Sequence, residues 1–216
     1  MESLPVELIR EIQSYLPNRE FGSFRRTAKR YNIPLPEAER LYRLYHGKEL
    51  EDLAKFGDLV GIYYLVENGA DIHKDNNVAF KVACLHGHLD VVQFLVEKGA
   101  RINANALQLP SIMGYLKIVR YLVEKGADIR ANNDWALQKS CYYGRLEVVR
   151  YLVENGANIH VHDNFPLHCA SLAGHLKIVC YLVECGADIH ARQDFALQLA
   201  SENGHSDIVS YLSEQD

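Results

Sequence analysis

The chain has 216 residues, of which 48% are hydrophobic and 24% charged, a composition typical of globular proteins with a packed core. It has no apolar stretch of the roughly eighteen residues that a transmembrane helix needs, and its start lacks the basic-then-apolar pattern of a secretory signal, so we expect neither. Residues 47–216 hold 15 Lys and Arg against 22 Asp and Glu, a net charge of −7. This acidic balance argues against nucleic acid as a partner, because phosphate backbones are bound by clustered basic residues.

The first 46 residues differ from the rest of the chain. They open with "MESLPVELIREIQSYLP", in which Leu8, Ile12, Tyr15 and Leu16 form one apolar stripe of a helix, and Pro5 fits its first turn. A second amphipathic piece, "EFGSFRRTAKRYN", follows. On pattern alone, this segment either caps the structure that follows or presents its stripe to another protein.

The segment resembles the F-box pattern LPxELLxxILxYLxxxDLxxLRxVSKRF. The matching positions are Leu4, Pro5, Glu7, Leu8, Ile12, Tyr15, Leu16, Phe21, Phe24, Arg25, Lys29, Arg30 and Tyr31. It departs from the pattern at Gly22, Arg26 and Thr27, which weakens the core of its third helix. The resemblance implies docking to a Skp-family linker of a cullin–RING ubiquitin ligase, with a helix lying in a groove. The implied docking residues are Leu4, Pro5, Leu8, Ile12 and Leu16.

From about residue 47 the chain repeats itself. A Gly-Ala pair recurs at 69, 99, 126, 156 and 186, and a second glycine at 57, 87, 114, 144, 174 and 204. Six units of about 30 residues can be read. Their approximate ranges are 47–76, 77–104, 105–133, 134–163, 164–193 and 194–216.

Each unit predicts two helices. In residues 77–99, Asn77 fits an N-cap, Gly87 separates the helices and Gly99 ends the second one. A single pair cannot bury both of its apolar faces, so we expect stacked pairs in an all-α solenoid. Repeat 3 has lost three residues before its first helix and carries Pro110 at a slot where other repeats have Ala or Ser, so that helix should be short or distorted. The residues at the slot of Asn77 are Asp134, Asn164 and Asp194.

The repeats resemble ankyrin repeats. "FPLHCASLAGH" at 165–175 is similar to the family's TPLHxAAxxGH, and "GHLDVVQFLVEKGARIN" to the second half of its unit. The family's unit has 33 residues, so the resemblance implies shortened β-hairpin fingers here. Repeats in the style "GADIHAxxDxAL" look like those of mimivirus-type giant DNA viruses of amoebae, which implies the host cytoplasm or nucleus as the location.

The resemblance further implies that a target protein binds the concave face, made by loops and first helices. The residues expected there are Leu85, His86, Ile112, Met113, Trp135, Tyr142, Tyr143, Phe165 and Leu172. Trp135, Phe165 and Phe195 replace the family's threonine, and they either pack beneath the shortened loop or form an aromatic rim. Repeats 1 and 6 offer Lys55 with Phe56 and Glu202 with Asn203, so we expect more polar ends.

Histidines and cysteines follow the repeat period. His88 and His205 open second helices, and Cys84 and Cys141 share a slot that holds Ser in other repeats. We therefore expect no metal, cofactor or catalytic site, and reduced thiols in an intracellular monomer. The five cysteines are Cys84, Cys141, Cys169, Cys180 and Cys185.

The sequence thus predicts an F-box-like segment, residues 1–46, followed by about six short ankyrin repeats, residues 47–216. The function predicted from these resemblances is an adaptor that recruits a target protein to a host cullin–RING ligase. The alternative is a non-catalytic ankyrin scaffold whose first segment only caps the solenoid.

Overall fold

A computed structural model describes residues 44–215. The F-box-like stripe, with Leu4, Pro5, Leu8, Ile12 and Leu16, lies outside the described residues. Within the described range the chain forms helices and turns and no strand. Residues 44–101 belong to one compact unit and residues 102–215 to a second.

The first unit contains two helix pairs. Its helices are α1 (Leu50–Phe56), α2 (Leu59–Glu67), α3 (Lys74–His86) and α4 (Leu89–Glu97). The first helices α1 and α3 pack against each other, as do the second helices α2 and α4, so the unit has two helical layers. Its core includes Ile62, Val92 and Leu95, all of which are fully buried.

The second unit contains four helix pairs. Neighbouring first helices pack in one layer and neighbouring second helices in another, as in the first unit. Leu122, Leu152 and Leu182 occupy the same slot of three successive second helices and are fully buried. The helices are α5 (Gln108–Met113), α6 (Leu116–Glu124), α7 (Ala131–Tyr142), α8 (Leu146–Glu154), α9 (Val161–Leu172), α10 (Leu176–Glu184), α11 (Ala191–Glu202) and α12 (Ser206–Ser213).

A left-handed turn precedes the right-handed part of α3, α7, α9 and α11. In α7 the residues Asn132, Asn133 and Asp134 have φ of 54°, 58° and 57°. Left-handed backbone costs most residues energy, and Asn and Asp tolerate it best. Accordingly, Asn, Asp or His occupies most of these positions, with Arg192 and Gln193 as exceptions.

The left-handed turn corrects the N-cap prediction. Asn77, Asp134 and Asn164 are the last left-handed residues of their turns, whereas an N-cap residue has extended backbone. Their side chains instead reach the loop that follows the same repeat's second helix. Asp134, for example, accepts a hydrogen bond of 2.7 Å from the backbone N–H of Asn158.

Repeat 3 confirms the predicted short first helix. Helix α5 spans 6 residues, whereas α7, α9 and α11 each span 12, including the three left-handed residues near their starts. Because α5 begins only at Gln108, Pro110 lies in its first turn, where a missing N–H breaks no helical hydrogen bond.

Candidate protein-binding face

The exposed surface of α7 carries a stripe of aromatic and basic side chains. Trp135, Lys139 and Tyr142 follow each other at i, i+4 and i+7, which places them on one side of the helix. The ammonium of Lys139 lies 5.4 Å from the centroid of the Trp135 ring and 5.9 Å from that of Tyr142. These distances are typical of cation–π contacts, so the lysine holds the two rings in one surface.

Two adjacent tyrosines end this stripe. Tyr142 and Tyr143 are 41% and 45% exposed, and their rings meet edge to face with centroids 5.1 Å apart. Burying large aromatic rings favours protein association, and Tyr is enriched in the energetically dominant parts of interfaces. Both rings are therefore accessible to a partner, and their role in target binding stays a prediction.

The end of α7 is fixed by the next repeat. His175 donates a hydrogen bond of 3.0 Å from Nε2 to the backbone carbonyl of Tyr142. The histidine ring approaches Gly144 so closely that a Cβ there would lie 2.7 Å from its Cε1 atom. Glycine is therefore needed at this slot for the approach as well as for its φ of 71°. Repetition of the Gly-His slot reflects this contact between repeats; His205 makes it to the carbonyl of Leu172 at 3.1 Å.

A second aromatic cluster extends the surface to α9 and α11. The imidazole of His168 contacts Phe165 and Phe195 edge to face, with centroids 6.3 Å and 5.1 Å away. Phe165 is 36% exposed and Phe195 half-buried. Phe165 and Phe195 thus pack against His168 and still present ring surface to solvent. We call Trp135, Tyr142, Tyr143, Phe165 and Phe195 together the aromatic face.

His168 beneath this cluster has an unusual environment. It is 1% exposed, and neither ring nitrogen has a hydrogen-bond partner among residues 44–215. Burial lowers the pKa of His168, Arg192 lowers it further, and Asp163 acts in the opposite direction. The imidazole is therefore held neutral and serves as a flat spacer between the two phenylalanine rings.

The remaining predicted residues are distributed over both units. In the second unit Ile112, Met113 and Leu172 are half-buried at the ends of α5 and α9. In the first unit Leu85 and His86 are exposed at the end of α3. The sequence predicted a more polar surface in repeat 1, where Phe56 lies. Phe56 is 75% exposed, however, so this repeat presents a large apolar ring to solvent.

The second helices use their aromatic rings differently. Arg120 lies 5.0 Å over the ring of Tyr151, and Arg150 lies 4.7 Å over that of Tyr181, in each case joining one repeat to the next. Burial, followed by a hydrogen bond with Cys185, raises the pKa of Tyr181 to about 12. These rings are occupied in packing between repeats, whereas Tyr142, Tyr143 and Phe165 remain open to solvent.

Residues 44–215 contain no cluster of three or more His, Cys, Asp or Glu side chains arranged to hold a metal ion. Several histidines that the sequence left unassigned make contacts within their own turn. His160, for example, donates from Nδ1 to the side-chain oxygen of Asn164 at 3.0 Å. Across the same range, every helix is too short or too polar to cross a bilayer.

Comparison with known proteins identifies the fold. The family described as "Ankyrin repeats (3 copies)" matches residues 50–133 and 131–193, and the chain belongs to this family. The match confirms the predicted all-α ankyrin-repeat solenoid, and the family is typically a non-catalytic scaffold for protein–protein interaction.

Among solved structures, the human ASB11 ankyrin repeat domain is similar to this chain. The two share 25% sequence identity with a TM-score of 0.68, over 77% of this chain and 83% of that one. In total 371 chains of solved structures match, so the fold is common and does not by itself specify a partner. No curated protein sequence matches this chain.

Proposed function

We propose that the protein is an adaptor that binds a target protein on its ankyrin repeats and recruits it to a cullin–RING ubiquitin ligase through residues 1–46. The target occupies the surface made by the first helices of the second unit, with the aromatic face at its centre. A Skp-family linker occupies the apolar stripe of Leu4, Pro5, Leu8, Ile12 and Leu16. The protein itself carries out no chemistry, and it acts by raising the effective concentration of the target near the ligase.

The exposed tyrosine pair is the observation that carries target binding. Tyr142 and Tyr143 lie side by side in solvent, and the His175 hydrogen bond to the Tyr142 carbonyl fixes the backbone that bears them. Rings already held in place lose little further freedom when they bind, which favours association. Ile112, Met113 and Leu172 on the neighbouring repeats add apolar surface around the pair.

Support for the ligase side comes from the sequence. Thirteen positions of residues 4–31 match the F-box pattern in order, and the stripe of its first helix is intact. The stripe is apolar on one side and carries Arg10, Glu11 and Gln13 off it, as expected for a helix that lies in a groove. Residues 47–216 carry their own repeat pattern, so the first 46 residues are available for a separate role.

Binding of purified full-length protein to a Skp-family linker tests the ligase side. Ile12→Asp places a charge in the stripe and should abolish binding, because burying an unpaired charge costs several kcal/mol. Gln13→Asp adds the same charge beside the stripe and is the matched control, with binding retained. Circular dichroism of each variant reports whether the ankyrin repeats remain folded.

Each outcome separates the adaptor from the alternative. Lost linker binding with intact helicity in Ile12→Asp supports the adaptor. If Ile12→Asp unfolds the repeats while Gln13→Asp does not, the segment is a cap and the protein is a scaffold without a ligase. The absence of linker binding by the wild type would also reject recruitment.

A further inference from the structure

We propose that the aromatic face binds an acidic segment of the target protein. In this arrangement one Asp or Glu carboxylate of the segment reaches Lys139, and apolar side chains close to it in the segment cover the aromatic rings. The inference rests on the proposed function and adds the chemistry of the partner to it.

Lys139 differs from the charged residues around it. Arg192 lies 3.3 Å from a carboxylate oxygen of Asp163, and Arg130 lies 3.8 Å from one of Asp134. For Lys139, in contrast, the described residues provide two aromatic rings and no carboxylate within ion-pair distance. Its side chain is half-buried among these rings, so water screens the ammonium less than at an open surface.

The charges of the face are also arranged asymmetrically. The slots that hold Trp135, Lys139 and Tyr142 in repeat 4 hold the uncharged Phe165, Cys169 and Leu172 in repeat 5. In repeat 6 the slot of Tyr142 holds the exposed Glu202. An acidic group is therefore attracted to repeat 4 and repelled from repeat 6, which orients a bound segment.

The spacing of repeats sets the position of the apolar contacts. Packed helices lie about 8–10 Å apart, and an unfolded segment bound in the polyproline II conformation advances about 3.1 Å per residue with three residues per turn, so that side chains three positions apart lie on the same side. A side chain about three residues from the acidic one therefore reaches Phe165 on the adjacent helix. The expected segment has an Asp or Glu with a large apolar residue about three positions away.

A carboxylate fits this site better than a phosphate. Phosphate groups are recognised by arginine forks or by clusters of basic groups, and Lys139 is the single cation among the face slots of repeats 4 to 6. Residues 47–216 carry 15 basic against 22 acidic side chains, which opposes polyanions such as nucleic acid. A single carboxylate flanked by apolar groups matches one cation flanked by aromatic rings.

Peptide arrays provide the probe. Ten-residue peptides are synthesised with Asp, Asn, phosphoserine or Lys fixed near the centre and the other positions randomised. They are incubated with the full chain in its wild-type, Lys139→Met and Lys177→Met forms. Lys139→Met keeps a long apolar side chain and removes the charge, and Lys177→Met makes the same change at an exposed second-helix position.

The wild type and Lys177→Met should prefer Asp peptides over Asn peptides by about tenfold, with large apolar residues enriched about three positions from the Asp. In Lys139→Met this preference should disappear. Trp135 is the one tryptophan of the chain, so its emission should change when a selected Asp peptide is titrated into the wild type.

Three results would overturn the inference: no binding to Asp peptides, a preference for Asp that survives in Lys139→Met, or a stronger preference for phosphoserine. The proposed function fails separately. If replacing Tyr142 and Tyr143 still abolishes target capture while the arrays find no preference for Asp, the face binds a target of different chemistry. If those replacements leave target capture intact, the face is not the target site.

Discussion

The carboxylate of Asp134 accepts a hydrogen bond of 2.7 Å from the backbone N–H of Asn158. Asn158 lies in the loop after the second helix of the same repeat, and Asp134 ends the left-handed turn before the first. Asn164 makes the equivalent contact to the N–H of Asp188 at 3.1 Å. In both repeats the contact joins the turn before the first helix to the loop after the second helix. Asp134 is almost completely buried.

Removing this side chain should destabilise the second unit. Asp134→Ala leaves the N–H of Asn158 without its partner, at a cost of about 1–3 kcal/mol in the free energy of unfolding. Asp134→Asn should remain close to the wild type, because Asn fills the same slot at positions 77 and 164 and keeps an acceptor oxygen. Urea denaturation of the three proteins measures the difference. Equal destabilisation by Ala and Asn would mean that the charge, and not the hydrogen bond, is what the site requires.

A substitution in the left-handed turn of repeat 6 should stabilise the folded protein. Gln193 is exposed and has a φ of 59°, a conformation that Gln adopts rarely and Gly freely. Gln193→Gly should therefore raise the free energy of unfolding by about 1 kcal/mol, the typical relief of left-handed strain for one residue. Glu202→Gly, at an exposed right-handed position of α11, should lower it by a similar amount. A loss of stability in Gln193→Gly would contradict the strain argument.

Replacing the buried His168 of repeat 5 with Gln should increase the stability of the protein. At the slot of His168, Gln138 donates to the carbonyl of Asn133 at 2.6 Å and Gln198 to that of Gln193 at 3.1 Å. His168→Gln should form the same bond to the carbonyl of Asp163 and stabilise the protein by about 1 kcal/mol. The reverse change, Gln138→His, should cost a similar amount. If both substitutions destabilise, packing of the imidazole between the phenylalanine rings outweighs its missing hydrogen bonds.

His168 should also make stability depend on pH. Its pKa in the folded state lies below the ordinary value of 6.5, so below pH 6.5 the unfolded chain takes up a proton that the folded protein does not. The free energy of unfolding should fall as the pH drops from about 6.5 towards the folded-state pKa, by at most about 1.4 kcal/mol per pH unit. The measurement is the difference in the free energy of unfolding between wild type and His168→Gln at each pH, which isolates the contribution of His168. A constant difference from pH 7.5 to 5 would contradict the effect.

The sequence predicted the repeat architecture because its signals are local and recur six times. The glycine slots, the apolar stripe of second helices and the missing residues before Gln108 each determine structure within one repeat. The resemblance to ankyrin repeats placed Tyr142 and Tyr143 on the concave face, and the structure shows both rings exposed, while their role in binding stays a prediction.

The left-handed turns were missed because Asn and Asp favour both N-caps and left-handed backbone. A recurring run of three such residues, "DNN", "NND" and "HDN", was the available signal. The role of His168 depends on Phe195, which lies 27 positions away in the chain. Pattern within a single repeat does not contain this information.

The central claim is that a target protein binds the aromatic face. The full-length protein is purified from cells together with its bound proteins, and the bound proteins are quantified. The wild type is compared with a tyrosine variant, Tyr142→Ala/Tyr143→Ala. The control pair is Glu147→Ala/Lys177→Ala, which changes two exposed residues on second helices. Truncating an aromatic anchor at the centre of an interface commonly costs about 2 kcal/mol or more. The tyrosine variant should lose its target and retain a Skp-family linker, bound through residues 1–46, and the control pair should keep both. Unchanged capture of the target by the tyrosine variant would contradict binding at the aromatic face, and loss of capture in the control pair would place the target on the second helices.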